Sequence, residues 1–271
     1  MKKVLIITTG FSSFVADMIF CKKFSVTGIL DCQSSVELKS FANENGISYK
    51  ALNKQNTELI QWIRAHKPEV MAVYKMPFLL TKEIFSIPEY GSINIHPSFL
   101  PAYRGPNPWF WIYYNMENES GVTVHFIDAG EDTGNIIYQE RFSIALGERL
   151  IDLKMKATTI GTNLMIKAIC NIEHIRSTPQ PALSPTVRAR NVFNYQGLIN
   201  WEKWSVEKIW HLLNGFPEIL QTNKSYIKLN KTLIPDSYCF GNKGFLVGEL
   251  TLADNHYILG CINGSIEFRC W

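Results

Sequence analysis

The 271 residues are 46% hydrophobic and 19% charged, with 27 basic against 24 acidic side chains and a formal net charge of +3. That composition suits a globular protein with a sizeable core, and so mild a positive charge disfavours a dedicated nucleic-acid binder. No run approaches the ~18 apolar residues of a membrane span, and six scattered cysteines without a Cys-x-x-Cys pair read as buried thiols of a reducing cytoplasm.

In chain order, the apolar run over residues 4–8 reads as a buried strand rather than a secretory leader, because Thr8, Thr9 and Gly10 break it. An amphipathic run over 14–24 follows, then a second buried strand over 26–31. Ser34 with Glu37 fits a capping box for a helix that stops at Gly46. A helix over 56–66 ends ahead of Pro68, and strands are expected over 70–74 and 91–96. Strands alternating with short helices imply parallel pairing in a doubly wound α/β sheet. Ligands of such sheets sit at the carboxyl ends of the strands, where the loop 10–13 and the loop after His96 both fall.

Further on come a short aromatic helix over 109–114, a strand over 121–127, a polar loop over 128–134 and a strand over 135–144. A long helix carries Leu150, Leu153, Ala157, Ile160, Leu164 and Ala168 at helical spacing. Pro179, Pro181 and Pro185 among Ser and Thr mark a linker over 177–190, dividing a first domain (1–176) from a second (191–271). The second has a helix over 206–213 and then strand signals. Turns at Gly241-Asn242-Lys243-Gly244, Asp254-Asn255 and Asn263-Gly264 predict a small antiparallel domain. Apolar Phe240, Phe245, Leu246, Tyr257, Ile258 and Trp271 near its strand edges point to a homodimer interface.

The chemistry concentrates at residues 92–105. Alternation puts Ile93 and Ile95 on one side of a strand and Asn94 and His96 on the other. Pro97 and Pro101 then end the strand in an irregular loop. The bland reading is a polar pair on a solvent-facing strand. Against it stands Asp132, in a glycine-rich loop 36 residues after His96. A carboxylate, an imidazole and a carboxamide without a cysteine or serine nucleophile suit attack by a substrate's own amine on an activated acyl group. His96 would take the amine proton, since imidazole titrates near neutrality. Asp132 would orient that imidazole, and Asn94 would donate an N–H to the developing oxyanion. His125 reads as a buried hydrogen-bonded residue, and His66, His174, His211 and His256 as surface or packing residues.

The run Asn94-Ile95-His96-Pro97-Ser98-Phe99-Leu100-Pro101-Ala102-Tyr103-Arg104-Gly105 is followed by Gly121-Val122-Thr123-Val124-His125, then by Asp132-Thr133-Gly134-Asn135-Ile136-Ile137 and Gln139. Together these resemble the formyltransferases that use 10-formyltetrahydrofolate. The resemblance covers roughly residues 1–171. It implies a Rossmann-like catalytic domain with Asn94, His96 and Asp132 as catalytic residues and no metal. It also implies a folate pocket formed by Lys75, Met76, Pro77 and Phe78 beside the loop of Asp128, Gly130 and Gly134, although Met76, Pro77 and Phe78 also read as core.

Acceptors in that family are glycinamide ribonucleotide, methionyl-tRNA, nucleotide-linked amino sugars or water. The turn Gly10-Phe11-Ser12-Ser13 departs from the glycine-rich phosphate turn of the purine enzymes, and no leading regulatory domain of the hydrolases is seen. The tRNA enzymes do carry a second β domain, echoed by Ile199-Asn200-Trp201 and Phe216-Pro217. However, Lys39 is the one cation over 30–39, and Lys224, Lys228, Lys231 and Lys243 are balanced by Glu249, Asp254 and Glu267. The segment from Arg104 to Trp111, with Asn107 and Trp109, resembles the sugar-nucleotide enzymes most.

The expectation is therefore a cytoplasmic N-formyltransferase acting on a dTDP-linked amino deoxysugar for surface polysaccharide. The alternatives are a methionyl-tRNA enzyme and an inactive folate- or nucleotide-binding protein. Phe11, Tyr103 or Trp109 would stack on a base or sugar. Lys75 or Arg104 would neutralise a pyrophosphate, helped by amides near Ser12 and Ser13. The plainer readings are core packing for Trp109, Phe110 and Trp111, and a loop clamp for Arg104.

Overall fold

The structure, a computed structural model, describes residues 1–223, 226, 233–241, 244–253 and 256–270. Seven strands form one sheet in the order β3-β2-β1-β4-β5-β6-β7. They are β1 (Lys3–Thr8), β2 (Ser25–Asp31), β3 (Ser48–Ala51), β4 (Val70–Tyr74), β5 (Ser92–His96), β6 (Glu119–Phe126) and β7 (Ile136–Ser143). The pairs from β3 through β5 are parallel, while β5 and β6 are antiparallel. The central strands are buried on both faces, as Val4, Leu5, Ile6, Ile7, Met71 and Ala72 attest. That is why they read as continuous apolar runs. β3 is an edge strand of half-buried Tyr49, Lys50 and Ala51, without the apolar run that would announce it.

The helices of this part are α1 (Ser13–Phe20), α2 (Val36–Glu44), α3 (Thr57–Ala65), the single turn α4 (Lys82–Phe85), α5 (Pro108–Tyr114) and α6 (Leu150–Asn171). α1 is shorter than expected because Cys21 is already extended. The N-cap of α2 is Ser35, whose Oγ accepts from Leu38 N–H at 3.2 Å, one residue beyond the expected Ser34. Ser34 adopts φ +57 instead, in the turn leading to the helix. Asn56 caps α3 in the same way, accepting from Leu59 N–H at 3.0 Å. α6 lies on the sheet at Gly161, where a Cβ would come within 2.7 Å of Ile95 and 3.1 Å of Val122. Only glycine permits so close an approach.

The chain divides into two compact units. The first comprises Met1–Pro108, Gly121–Phe142 and Met155–Ala189, and the second Trp109–Ser120, Ser143–Lys154 and Arg190–Trp271. This differs from a single cut at a linker in two respects. Residues 178–189 belong to the first unit, tied to it by bonds described below. The aromatic helix α5, from Trp109 onward, belongs to the second unit.

The second unit adds α7 (Val206–Gly215), a 3-10 turn at Pro217–Thr222 and four strands, β8 (Leu233–Phe240), β9 (Leu250–Ala253), β10 (His256–Cys261) and β11 (Gly264–Cys270). These form an antiparallel sheet ordered β8-β11-β10-β9. Tyr113 anchors its core. Its ring stacks on His211 at 4.7 Å, its hydroxyl donates to Glu148 O at 2.6 Å, and Gly215 makes room for it. Phe110 is fully buried against Phe216, which settles its packing role. Among the expected edge residues Phe240 and Leu246 are exposed, whereas Tyr257 is buried.

The expected turns at Asn242-Lys243 and Asp254-Asn255 lie outside the described residues, as do Lys224, Lys228, Lys231 and Trp271. Cys21, Cys32, Cys170, Cys239 and Cys261 are free thiols, but of these five Cys261 alone is buried as expected; Cys170 is exposed and the other three are half-buried. Among the described residues, no helix is long and apolar enough to cross a membrane, and no group of His, Cys, Asp and Glu could hold a metal ion.

Candidate active site

β5 delivers Asn94 and His96 to the carboxyl edge of the sheet, and the loop after it is held by side chains of the neighbouring strands. Thr123 Oγ1 donates to Ser98 O at 2.7 Å and accepts from Leu100 N–H (3.1 Å) and Gln139 Nε2 (2.9 Å). Gln139 also donates to Leu100 O at 2.8 Å. Ser98 Oγ closes the turn on Ala102 O at 2.6 Å. No buried side-chain oxygen or nitrogen of this loop is left without a partner, as a buried loop requires.

Asp132 comes from the loop between β6 and β7. Two glycines make that loop possible, because a Cβ on Gly134 would fall 1.8 Å from Phe126 O and one on Gly130 2.0 Å from Thr133 Oγ1. Asp128 ties the turn through Oδ1, accepting from Gly130 N–H at 3.0 Å and Thr133 Oγ1 at 2.7 Å. Asp132 itself sits at φ +54. Its carboxylate lies 3.5 Å from His96 Nδ1 and 3.6 Å from His125 Nε2, and accepts from Gly105 N–H at 2.9 Å. Burial works to raise its pKa, but His96 in its protonated form, His125 beside it and the Gly105 amide outweigh it and hold the carboxyl well below the usual range.

The tautomers follow from the partners. His96 Nε2 lies 2.9 Å from Tyr103 O. A carbonyl only accepts, so Nε2 carries the proton and Nδ1 presents its lone pair beside Asp132. Burial lowers the His96 pKa against the opposing pull of Asp132, so the neutral imidazole is the resting form. His125 Nδ1 lies 2.8 Å from Phe126 O and must donate there. In neutral His125, Nε2 is then an acceptor for Asn94 Nδ2 at 3.2 Å. One amide N–H of Asn94 is spent on His125, and the other stays available to a ligand.

Residues 178–189 brace this cluster. Gln180 Nε2 donates to Asp132 O (2.9 Å) and Gly134 O (2.7 Å), and its Oε1 accepts from Arg104 Nη2 (2.7 Å) and Nε (3.1 Å). Arg104 reaches on to Pro181 O and Ala182 O and is buried. It is the loop clamp of the plainer reading, and its guanidinium is committed to the protein rather than to a pyrophosphate. The Tyr103 ring is likewise buried, so stacking on a ligand does not fit its placement. Asn107 donates its backbone N–H to Ala189 O at 2.8 Å. Trp109 lies in the second unit.

At the ends of β1 and β4, Thr9 Oγ1 donates to Lys75 O at 2.5 Å, which sets Lys75 beside the 10–13 turn. Phe11 packs on Phe41 with ring centroids 4.7 Å apart. Ser12 precedes α1 with its Oγ buried and unpartnered, and Ser13 is exposed at the first helical position. Asp31, at the end of β2, was not singled out by the sequence. Its carboxylate gathers Gly10 N–H, Gln33 N–H, Ser35 N–H and Tyr49 OH, so it shapes the turn and has no acceptor left for a ligand. Met76 and Ile127 both pack on the core cluster that contains Leu5, Ile7, Met71 and Val73, while Pro77, Phe78 and Leu79 are exposed.

The formyl transferase family model matches residues 9–169. The chain belongs to that family. Among curated formyl transferases, the methionyl-tRNA formyltransferase of Caldicellulosiruptor saccharolyticus is 34% identical over 165 residues, 58% of this chain and 53% of that protein. The chain thus spans about half the length of this curated relative. The methionyl-tRNA formyltransferase of Ruminiclostridium cellulolyticum is 30% identical over 242 residues, 86% of this chain and 76% of that protein. The fold matches the N-formyltransferase of Helicobacter canadensis, solved in complex with folinic acid and dTDP-3-aminofucose. The TM-score is 0.72 at 20% identity over 100% of both chains.

Proposed function

We propose that this formyl transferase moves a formyl group from 10-formyltetrahydrofolate to the amine of a nucleotide-linked amino sugar. The observation that carries formyl transfer is the setting of His96, with Nε2 2.9 Å from Tyr103 O and Nδ1 3.5 Å from the Asp132 carboxylate. Nδ1 accepts the proton that the attacking amine loses as its nitrogen bonds to the formyl carbon. Asp132 then stabilises the imidazolium, and Asn94 donates its remaining N–H to the oxygen that gains negative charge. His96 returns the proton to the departing nitrogen, so the proton count balances.

The residues present fit a folate. Exposed Phe78 and Leu79 supply apolar surface in the 75–80 segment against which a flat heteroaromatic ring can lie. The folate supplies an activated formyl carbon there. Lys75 and the amides near Ser12 and Ser13 remain the anion-binding candidates, and Phe11 and Asn107 candidates for the base or sugar.

The sugar acceptor is supported by the end-to-end correspondence with the Helicobacter canadensis protein and its dTDP-3-aminofucose. The methionyl-tRNA reading is favoured by the sequence relatives. Incubation with 10-formyltetrahydrofolate and a panel of dTDP- and UDP-linked amino sugars, against methionyl-tRNA, separates the two. Formylated sugar supports the proposal; formylated methionyl-tRNA with no sugar product overturns it.

A further inference from the structure

We propose that Thr186 is a positioning residue for His96, acting through the main chain of Tyr103. The inference rests on His96 being the base of the proposed reaction, but its geometry stands apart from the acceptor's identity. Tyr103 holds φ +58, a left-handed conformation that a bulky residue adopts only when its surroundings impose it. Two backbone contacts help to hold it. The Tyr103 N–H donates to Thr186 Oγ1 at 2.7 Å, and Ala189 N–H donates to the next carbonyl, Arg104 O, at 2.7 Å. Between them the Tyr103 carbonyl is aimed at His96 Nε2.

Thr186 is in turn held by Ser184, whose Oγ lies 3.2 Å from Thr186 Oγ1 and donates to Pro101 O at 2.8 Å. A hydroxyl on a segment that reads as a linker thereby decides where a catalytic ring keeps its proton.

Loss of the Thr186 acceptor frees Tyr103 to relax and turn its carbonyl from Nε2. The imidazole then takes the other tautomer, with Nδ1–H donating to Asp132 Oδ2. That consumes the lone pair that receives the substrate proton, so the ring stays in place in a form that cannot act as base. The titratable groups around the ring are Asp132, His125 and Glu131, the last paired with Arg188. None of them is removed by a change at Thr186.

Imidazole 15N shifts of the intact chain, assigned by comparison with His96→Ala, test this directly. Wild type and Thr186→Ser keep an acceptor and give the Nε2–H tautomer at His96. Thr186→Val, isosteric but without the acceptor, gives Nδ1–H, with kcat lower by about tenfold to a hundredfold and little change in KM. A wild-type Nδ1–H tautomer overturns the proposal without any variant. So does a valine variant that keeps the wild-type tautomer and pH profile, or a serine variant that loses them. If wild type transfers no formyl group, the functional reading fails while the nitrogen shifts still decide this one.

Discussion

His96 and His211 are buried to nearly the same degree, 4% and 2% exposed, yet they are built for opposite ends. His96 has a carbonyl at one nitrogen and a carboxylate at the other, so either protonation state has a partner waiting. His211, in the second unit, accepts Gly147 N–H at Nδ1 (2.9 Å), stacks on Tyr113 and leaves Nε2 without a partner. Burial pushes its pKa down to about 4. Burial alone does not set the two rings apart. What does, and what supports the proposed role of His96, is the Asp132 carboxylate beside its Nδ1.

Substitutions sharpen the contrast. His96→Ala should cost the largest factor in kcat, about a hundredfold to ten-thousandfold, with folate affinity retained in a titration. Asp132→Ala should act on the same scale, because it removes the partner of the imidazolium. Asn94→Ala should cost about a hundredfold to a thousandfold, measured in the same steady-state assay. His211→Phe keeps the stack on Tyr113 and strands the Gly147 N–H. It should lower stability by about 1–3 kcal/mol in a denaturant melt while turnover per folded molecule holds. A kcat loss at His211 as large as at His96 would erase the distinction.

pH separates the two rings as well. Unfolded His211 takes a proton near its ordinary 6.5 and folded His211 only near 4. The unfolded chain therefore binds more protons between those values, and stability, complete above 6.5, falls as pH drops toward 4. His96 is shifted in the same direction. His211→Phe should flatten part of that decline in thermal melts across the window. Turnover should fall on the acid side with a midpoint below 6.5, set by His96 and unmoved by His211→Phe.

The strand end at His96 and the Asp132 loop were legible because each has a local signature, period-two alternation cut by proline and a glycine-framed acidic turn. Val122-Thr123-Val124-His125 carried the same alternation, which could have marked Thr123 and His125 as facing the site. Residues 178–189 were not legible in this way. Prolines among serines and threonines look like a linker, whereas Gln180, Ser184 and Thr186 bond carbonyls and amides some 50 to 80 positions away in sequence. Such pairings leave no periodic trace. Arg104 failed as an anion ligand for the same reason, since its partners Gln180, Pro181 and Ala182 are distant in the chain. The Ser35 cap was missed by one residue because Ser34 and Ser35 offer the same hydroxyl, and backbone conformation chose between them.

The central claim is that Asn94, His96 and Asp132 form a formyl-transfer centre. It is tested most directly by product formation from 10-formyltetrahydrofolate and the amino-sugar nucleotide panel, run side by side for wild type and His96→Ala at matched folate saturation. The account predicts an N-formylated sugar nucleotide with wild type and loss of turnover by at least about a hundredfold in the variant. Turnover of His96→Ala within a few-fold of wild type would contradict it.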